Sequence, residues 1–250
     1  QLGDIVLVEG PTYLTALSAF NAYEPEIHSV PFDDEGMRMD LLEEELKRIG
    51  KGNKRLKMLY TIPNFQNPGG VTMTGERRKR LIELSHEYDF MIIEDDPYGR
   101  LRYEGGHMVP LKAQDDRVIY LGTFSRTLAP SIRVAYLILP PALLKVYRAK
   151  FGHGAATVSR FEQEALRRFL ASGAYSRHLR RVGHLYRQRR DALVSALTPW
   201  GEVSGADAGL HLLFTLPGRE EGDLVARAAQ AGIRVRGLGR FSLSAQPRGG

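Results

Sequence analysis

A polar loop between two apolar runs carries the residue types that bind phosphate. Residues 118–121 are rich in β-branched and aromatic side chains, which predicts a buried strand. The hydroxyls of Thr123 and Ser125 follow this run, together with the guanidinium groups of Arg126 and Arg133. Neutral donors beside permanently charged, bidentate cations match the oxygen atoms of a phosphate group. The sequence therefore predicts an anion site at the end of this strand.

A turn with a side-chain amide follows the apolar run at residues 56–62. Its sequence is Asn67-Pro68-Gly69-Gly70, and the Asn67 amide can donate a hydrogen bond to a ligand oxygen. The same residues also suit a tight turn in which Asn and Gly only supply positive φ angles. Both interpretations stay open on the sequence alone.

Two carboxylates and a tyrosine close the apolar run at residues 90–93, in the order Asp95-Asp96-Pro97-Tyr98. Such acidic residues can simply be solvated at a strand end, or they can hold Mg²⁺ as in nucleotide hydrolases. A nucleotide hydrolase would also need a G-x-x-x-x-G-K-[ST] loop, and the sequence has none. The seven histidines show no metal-ligand spacing, and His211 in the apolar run 210–214 is interpreted as a packed polar residue.

The elements that must position these residues alternate between strand and helix. Apolar runs predict strands at 5–8, 27–30, 56–62, 90–93, 118–121 and 132–139, with helical patterns between most of them. This alternation predicts an α/β fold with a mainly parallel sheet and helices on both faces. All three polar clusters follow strands, and ligands of such sheets gather at the carboxyl ends of strands. We therefore expect the three clusters to share one edge of the sheet.

The pattern changes in the last third of the chain, which predicts a second unit. Residues 1–172 form the predicted large domain, and residues 173–250 form a smaller α+β domain with strands at 209–216 and 233–236. A long predicted helix at 175–197 carries six arginines spread around its circumference. This spread indicates an inter-domain helix with a solvated basic face rather than a DNA-reading element.

Composition bounds the class of protein. The chain has 250 residues, 43% of them hydrophobic, a net charge of +6 and no cysteine. The lack of cysteine excludes disulfides and thiolate metal sites and favours a cytoplasmic location. No apolar run is long enough to span a bilayer, so no membrane partner is expected. Both ends look unfinished, which predicts a fragment with an N-terminally truncated large domain and an incomplete small domain.

Four motifs occur in the order in which fold-type I pyridoxal-phosphate (PLP) enzymes of aminotransferase class I/II carry them. The string T-F-S-R-T-L-A-P-S-I-R resembles the S-K-T-L-A-P-G-x-R loop of that family. N-P-G-G resembles its N-P-x-G turn, D-D-P-Y its D-x-x-Y motif, and P-T-Y the position of its ring-stacking aromatic residue. The resemblance covers essentially the whole chain and implies the large-domain fold of that family.

The resemblance implies a role for each residue in these motifs. Asp95 would keep the pyridine nitrogen of PLP protonated, and Asn67 and Tyr98 would donate to its phenolic oxygen. Tyr13 would stack on the ring, although an aromatic residue at a helix entry is also a common core anchor. The hydroxyls of Thr123 and Ser125 and the Arg133 guanidinium would hold the phosphate. The implied cofactor-binding set is Tyr13, Asn67, Asp95, Tyr98, Thr123, Ser125 and Arg133.

Arg126 occupies the position of the family's Schiff-base lysine, which is the catalytic residue. A guanidinium group stays protonated and is a poor nucleophile, so it can neither bond to PLP nor act as a base. Loss of acid–base catalysis alone costs roughly 10²–10⁴-fold in rate. The resemblance therefore implies impaired amino-group transfer and a pocket that still binds PLP.

Two subfamilies share these motifs and give two candidate functions. Aminoadipate and aromatic aminotransferases transfer amino groups between an amino acid and a 2-oxo acid, and the family usually completes its site at a homodimer interface. MocR-type GntR regulators use the same domain to sense PLP or a PLP–amine adduct. They contact DNA through an upstream winged helix-turn-helix domain, which these residues do not contain. A packed α/β domain without a ligand is the third alternative.

Overall fold

The computed structural model describes residues 3–103, 106, 108–152 and 158–243, and a seven-stranded sheet lies at its centre. Two further strands form a small antiparallel sheet near the end of the described chain. The nine strands are β1 (Ile5–Gly10), β2 (Glu26–Asp33), β3 (Gly36–Met37), β4 (Leu56–Thr61), β5 (Met91–Asp96), β6 (Ile119–Thr123), β7 (Ala135–Ile138), β8 (Glu202–Ser204) and β9 (Leu213–Thr215).

The large sheet has the order β3-β2-β1-β4-β5-β6-β7. Strands β2, β1, β4, β5 and β6 run parallel, and the short edge strands β3 and β7 are antiparallel to their neighbours. The prediction of a mainly parallel sheet is confirmed. Because β4, β5 and β6 are neighbours, the chain segments after them meet at one edge of the sheet.

Helices cover both faces of this sheet. The helices of the core clusters are α1 (Leu14–Asn21) on one face and α2 (Met39–Gly50), α3 (Gly75–Glu87) and α4 (Leu111–Gln114) on the other. The later helices are α5 (Pro141–Phe151), α6 (Arg160–Ala171), α7 (Ala174–Leu197) and α8 (Glu221–Gln230). In the described part of the chain, none of them is both long and apolar enough to cross a bilayer.

Each strand of the sheet supplies two hydrophobic clusters because its side chains alternate between faces. In β1, Ile5 and Leu7 pack with α2 and α3, whereas Val6 and Val8 pack with α1. Leu81 and Leu84 of α3 belong to the first cluster. The Thr74 hydroxyl caps α3 by accepting a hydrogen bond from the Arg77 amide at 3.4 Å. The two clusters fix the sheet between its helices, so the polar strand ends are held in register.

Polar bonds join the C-terminal elements to the chain segment that follows β5. The Arg187 guanidinium donates to the carbonyl of Tyr103, and Arg190 donates to the carbonyl of Ala206 at 2.9 Å. The Tyr103 hydroxyl donates to the carbonyl of Gly209 at 2.6 Å. Arginines of this basic helix therefore join chain segments, while its role as an inter-domain helix stays a prediction. The division into domains at residue 173 stays a prediction.

Three sequence-based boundaries are wrong. Residues 233–236 form no strand, and Ile233 and Val235 are exposed, because apolar β-branched residues form a strand only where a partner strand is available. The predicted strand 209–216 is reduced to β9. The strand predicted at 132–139 begins only at Ala135, after a 3₁₀ turn at Pro130–Ile132. Residues 244–250, at the end of the predicted small domain, lie outside the described residues.

Candidate active site

The three consecutive carboxylates of β5 point to different surroundings. Alternation along the strand places Glu94 on the α3 face, where it accepts hydrogen bonds from the amides of Leu111 and Lys112. Asp95 lies on the opposite face and accepts a hydrogen bond from the Tyr60 hydroxyl at 2.6 Å. Among the described residues, no group of three metal-ligating side chains comes together. Glu94 and Asp95 therefore point to opposite faces of the sheet. Asp95 points to the face on which the hydrophobic cluster packs against α1.

The surroundings of Asp95 set its charge. Burial raises the pKa of this carboxyl to about 6, while the Tyr60 hydrogen bond and the Arg126 charge act in the opposite direction. Burial also raises the pKa of the Tyr98 hydroxyl, which follows β5 and is 4% exposed. At neutral pH the site therefore presents a carboxylate that can accept a proton and a phenol that keeps its own.

The loop after β6 is closed at its base by backbone bonds. The Phe124 amide donates to the Val134 carbonyl at 3.0 Å, and the Thr123 hydroxyl accepts from the Ser125 amide at 3.1 Å. Arg133 has a left-handed backbone with φ of 49° and is exposed. The structure thus places Thr123, Ser125 and Arg133 in one closed loop beside the end of β5.

Arg126 lies in this loop within electrostatic reach of the β5 end. Burial has the largest effect on the pKa values of Asp95, Tyr98 and His211. The positive charge of Arg126 also contributes to each of these three pKa values. Within the described residues, neither Arg126 nor Arg133 forms an ion pair with a carboxylate. Two unpaired guanidinium groups beside hydroxyls are an arrangement that suits a phosphate dianion.

The Asn67 turn lies against the C-terminal part of the chain. Within the described residues the Asn67 side chain forms no hydrogen bond, so its amide can serve a ligand. Gly70 has φ of 72°, and a Cβ atom there would lie 2.5 Å from the Cα atom of Gly205, which itself has φ of 67°. Two backbones therefore touch at this point without side chains between them.

Tyr13 packs in the core, as one of the two sequence interpretations expects, and its stacking on a cofactor ring stays a prediction. It precedes α1 and packs against the hydrophobic cluster of that face, and its hydroxyl is among the groups that act electrostatically on Tyr98. The neighbouring Thr12 is buried, and its hydroxyl has no hydrogen-bond partner among the described residues. A buried hydroxyl without a partner marks a place where a ligand or water completes the bonding.

His211 is the packed polar residue that the sequence analysis describes, but the sequence analysis missed its position beside Tyr98. Its ring packs edge-on against Tyr98 with centroids 5.5 Å apart, and its Nε2 lies 3.2 Å from the carbonyl of Gln66. Burial lowers the pKa of the imidazole, and the Arg126 charge adds to this effect. Because β9 begins only at Leu213, the assumed strand alternation does not apply to His211.

Glu9 is a second missed residue and lies behind the site. Its carboxylate is 2% exposed and accepts hydrogen bonds from the Thr61 hydroxyl at 2.7 Å and the Ile62 amide at 3.1 Å. Burial raises its pKa to about 7, and the negative charge of Asp95 contributes to this shift. A carboxylate at the carboxyl end of an apolar strand is the signal that could have found it.

Glu9 makes the stability of the fold depend on pH. The folded-state pKa of about 7 exceeds the ordinary value of 4.5, so the folded chain binds this proton more strongly. The free energy of unfolding therefore falls as the pH rises from about 4.5 to 7. Between pH 5 and pH 8 the natural chain should lose more stability than Glu9→Gln, by on the order of 2 kcal/mol. Urea unfolding at both pH values measures this difference.

Glu164→Gln is the control for this measurement. Hydrogen bonds from Arg167 and Arg168 lower the pKa of Glu164 to about 2, so its contribution is lost only at pH values below this window. The control should therefore keep the pH profile of the natural chain between pH 5 and pH 8. An unchanged profile for Glu9→Gln would show that Glu9 does not titrate in this range.

Comparison with known proteins supports a family assignment. The profile of the family described as "Aminotransferase class I and II" matches residues 1–247. Aromatic-amino-acid aminotransferase 1 of Thermococcus litoralis is 44% identical over 224 residues, covering 86% of this chain and 53% of that protein. The probable rhizopine catabolism regulatory protein MocR of Rhizobium meliloti is 29% identical over 255 residues, covering 99% of this chain and 50% of that protein.

Solved structures agree with the sequence relatives. Kynurenine aminotransferase of Pyrococcus horikoshii, in complex with PMP, has a TM-score of 0.90 and 42% identity, covering 97% of this chain and 62% of that one. The chain spans about half the length of these curated relatives. The family match makes PLP the implied cofactor. This chain belongs to the aminotransferase class I and II family.

Proposed function

We propose that this chain is a PLP-binding, aminotransferase-like domain that holds its cofactor without a covalent bond. The observation that carries this proposal is a half-buried carboxylate, Asp95, next to a loop whose guanidinium groups, Arg126 and Arg133, form no ion pair among the described residues. These charges complement a cofactor with a basic ring nitrogen at one end and a phosphate at the other.

Each residue would contribute one contact to the cofactor. Asp95, held by Tyr60, would bind the ring nitrogen, and the Asn67 amide and the Tyr98 hydroxyl would donate to the phenolic oxygen. Tyr13 would cover the ring, and the loop residues Thr123, Ser125 and Arg133 would hold the phosphate. When bound, PLP supplies an electron-withdrawing ring that stabilises negative charge on a substrate carbon.

Arg126 limits what the chain can do with this cofactor. Because its guanidinium keeps its proton, Arg126 cannot accept the substrate proton that a lysine amine would take. It can instead add a positive charge to the phosphate contacts. Amino-group transfer between an amino acid and a 2-oxo acid, the reaction of the related enzymes, would thus be strongly impaired here.

Arg133 offers the first test of the proposal. Removing a charged hydrogen-bond donor costs about 1.5–3 kcal/mol, so Arg133→Met should weaken PLP binding roughly 10- to 150-fold. Binding is measured by equilibrium dialysis at fixed salt. Arg167→Met is the control, because Arg167 is an exposed arginine on α6 paired with Glu164. Equal affinities for all three proteins, or no binding by the natural chain, would contradict the proposal.

The second candidate is the ligand-sensing domain of a MocR-type regulator. The match to MocR over 99% of this chain favours it, and so does the replacement of the catalytic lysine, since a sensor needs binding but not turnover. The complete reading frame separates the candidates: an upstream winged helix-turn-helix domain indicates the regulator. In either case we propose a cytoplasmic protein that forms a homodimer. Sedimentation of the complete protein tests the homodimer.

A further inference from the structure

Gln66 precedes Asn67 and has its backbone and side chain fully engaged. The residue is 2% exposed. Its amide nitrogen donates to the carbonyl of Val71 at 2.8 Å, and its carbonyl accepts from the amide of Gly70 at 2.5 Å. These bonds close the turn around Asn67. The Gln66 carbonyl also lies 3.2 Å from the His211 Nε2 atom, so the ring beside Tyr98 is attached to the same residue.

The side chain of Gln66 joins two segments that are far apart in sequence. Its Nε2 atom donates to the carbonyl of Pro11 at 2.8 Å, two residues before Tyr13. Its Oε1 atom accepts from the amide of Gly69 at 2.6 Å, two residues after Asn67. One amide group therefore fixes the distance between the loop that carries Tyr13 and the turn that carries Asn67.

Glu9 lies beside the Gln66 side chain. Gln66 is among the polar groups that lower the pKa of the Glu9 carboxyl, against the larger effect of burial. Glu9 is itself held by hydrogen bonds from Thr61 and Ile62 at the end of β4. The Gln66 side chain therefore lies next to a carboxylate that is fixed to the sheet.

We infer that Gln66 is a positioning residue, which sets where the Asn67 amide and the Tyr13 ring meet the cofactor. The roles of Asn67 and Tyr13 rest on the proposed function, whereas the connection between the two segments rests on the contacts above. The proposed function assigns Gln66 no contact of its own with the cofactor. Its effect on binding passes through the residues that it orients.

Two variants separate its contacts. Gln66→Met has a similar length and removes both side-chain hydrogen bonds. Gln66→Glu keeps an acceptor for the Gly69 amide but loses the donor to the Pro11 carbonyl when ionised. Ser85→Ala is the control, because it removes a buried hydroxyl that bonds to Ile82 within α3, far along the chain from the turn.

Hydrogen exchange of the ligand-free chain provides the first readout. The Gly69 and Gly70 amides should exchange roughly 10-fold or more faster in Gln66→Met. The Gly69 amide loses its side-chain acceptor, and the Gly70 amide lies in the turn that this bond stabilises. Gln66→Glu should keep Gly69 protected, and Ser85→Ala should leave both amides unchanged. Unchanged exchange at both glycines in Gln66→Met would overturn the inference whether or not the chain binds PLP.

PLP affinity in a double-mutant cycle provides the second readout. Supporting contacts at metal sites are worth 10- to 100-fold, and we expect Gln66→Met to weaken PLP binding by roughly 10-fold. The same change should cost clearly less in an Asn67→Ala background, since the group that Gln66 orients is then missing. A full, additive loss in that background would show that Gln66 does not act through Asn67. If no variant binds PLP, the proposed function fails, and the exchange data alone decide the inference.

Discussion

Arg126→Lys is expected to turn reversible PLP binding into covalent attachment. A lysine at this position restores a primary amine beside the site, and the nearby positive charge of Arg133 favours its neutral, nucleophilic form. The natural chain cannot form this bond because a guanidinium is not a nucleophile at neutral pH. After incubation with PLP and reduction with borohydride, the variant should carry a pyridoxyl group at residue 126, located by digestion and mass spectrometry.

Exposed lysines make a control necessary, because the chain has several surface lysines that can react with PLP at high concentration. Arg167→Lys introduces an equally new amine on the exposed face of α6 and should gain no preferential label at low PLP. An adduct at residue 126 that is no more abundant than those on surface lysines would place the cofactor elsewhere. The same result would arise if Arg126 did not line the site.

Arg78→Leu is expected to lower the free energy of unfolding by about 3–5 kcal/mol. Arg78 is 1% exposed and holds both ends of the loop that contains Asn67: its guanidinium donates to the carbonyls of Pro63 at 2.8 Å and Met73 at 2.9 Å. It also lies 3.9 Å from the fully buried Glu94 carboxylate. The variant leaves the two carbonyl groups and the Glu94 carboxylate without their cation. Urea unfolding measures the resulting loss of stability.

Arg80→Leu is the matched control, because it removes the same group from the same helix at a half-buried position on the protein surface. Arg80 pairs with Glu43 and Glu83 at the surface, where an ion pair is worth less than about 1 kcal/mol. We therefore expect a large difference between two arginines that are two residues apart. Similar losses of stability for both variants would show that burial of Arg78 carries no special weight.

The sequence predicted the sheet well because apolar strands alternate with amphipathic helices. The polar clusters at Asn67, Asp95 and Thr123 could be placed at one edge because each follows an apolar run. Pairing in the structure sets Asp95 beside Leu121, next to the loop that begins at Thr123. Parallel pairing of neighbouring strands therefore brings the separate motifs to one edge of the sheet.

The partners of these residues could not be predicted in the same way. The Tyr60 hydroxyl reaches Asp95 from the neighbouring strand, and the sequence does not show the register that brings the two together. Arg78 reads as one more surface charge in a basic helix until the loop that it binds is known. His211 was assigned to a strand that is shorter than its apolar pattern. Each contact depends on long-range packing that no local pattern contains.

The contact between Gly70 and Gly205 has a consequence for communication across the molecule. Neither residue has a side chain whose rotamer could absorb a relative shift, so displacement of the β8–β9 sheet acts directly on the Asn67 turn. A ligand that immobilises Asn67 would restrict the motion of that sheet. If binding of the ligand changes the affinity of a protein for β8–β9, thermodynamic reciprocity requires that this protein changes the affinity of the ligand by the same factor. In a regulator, this glycine pair would be a point of coupling between the ligand and the partner protein.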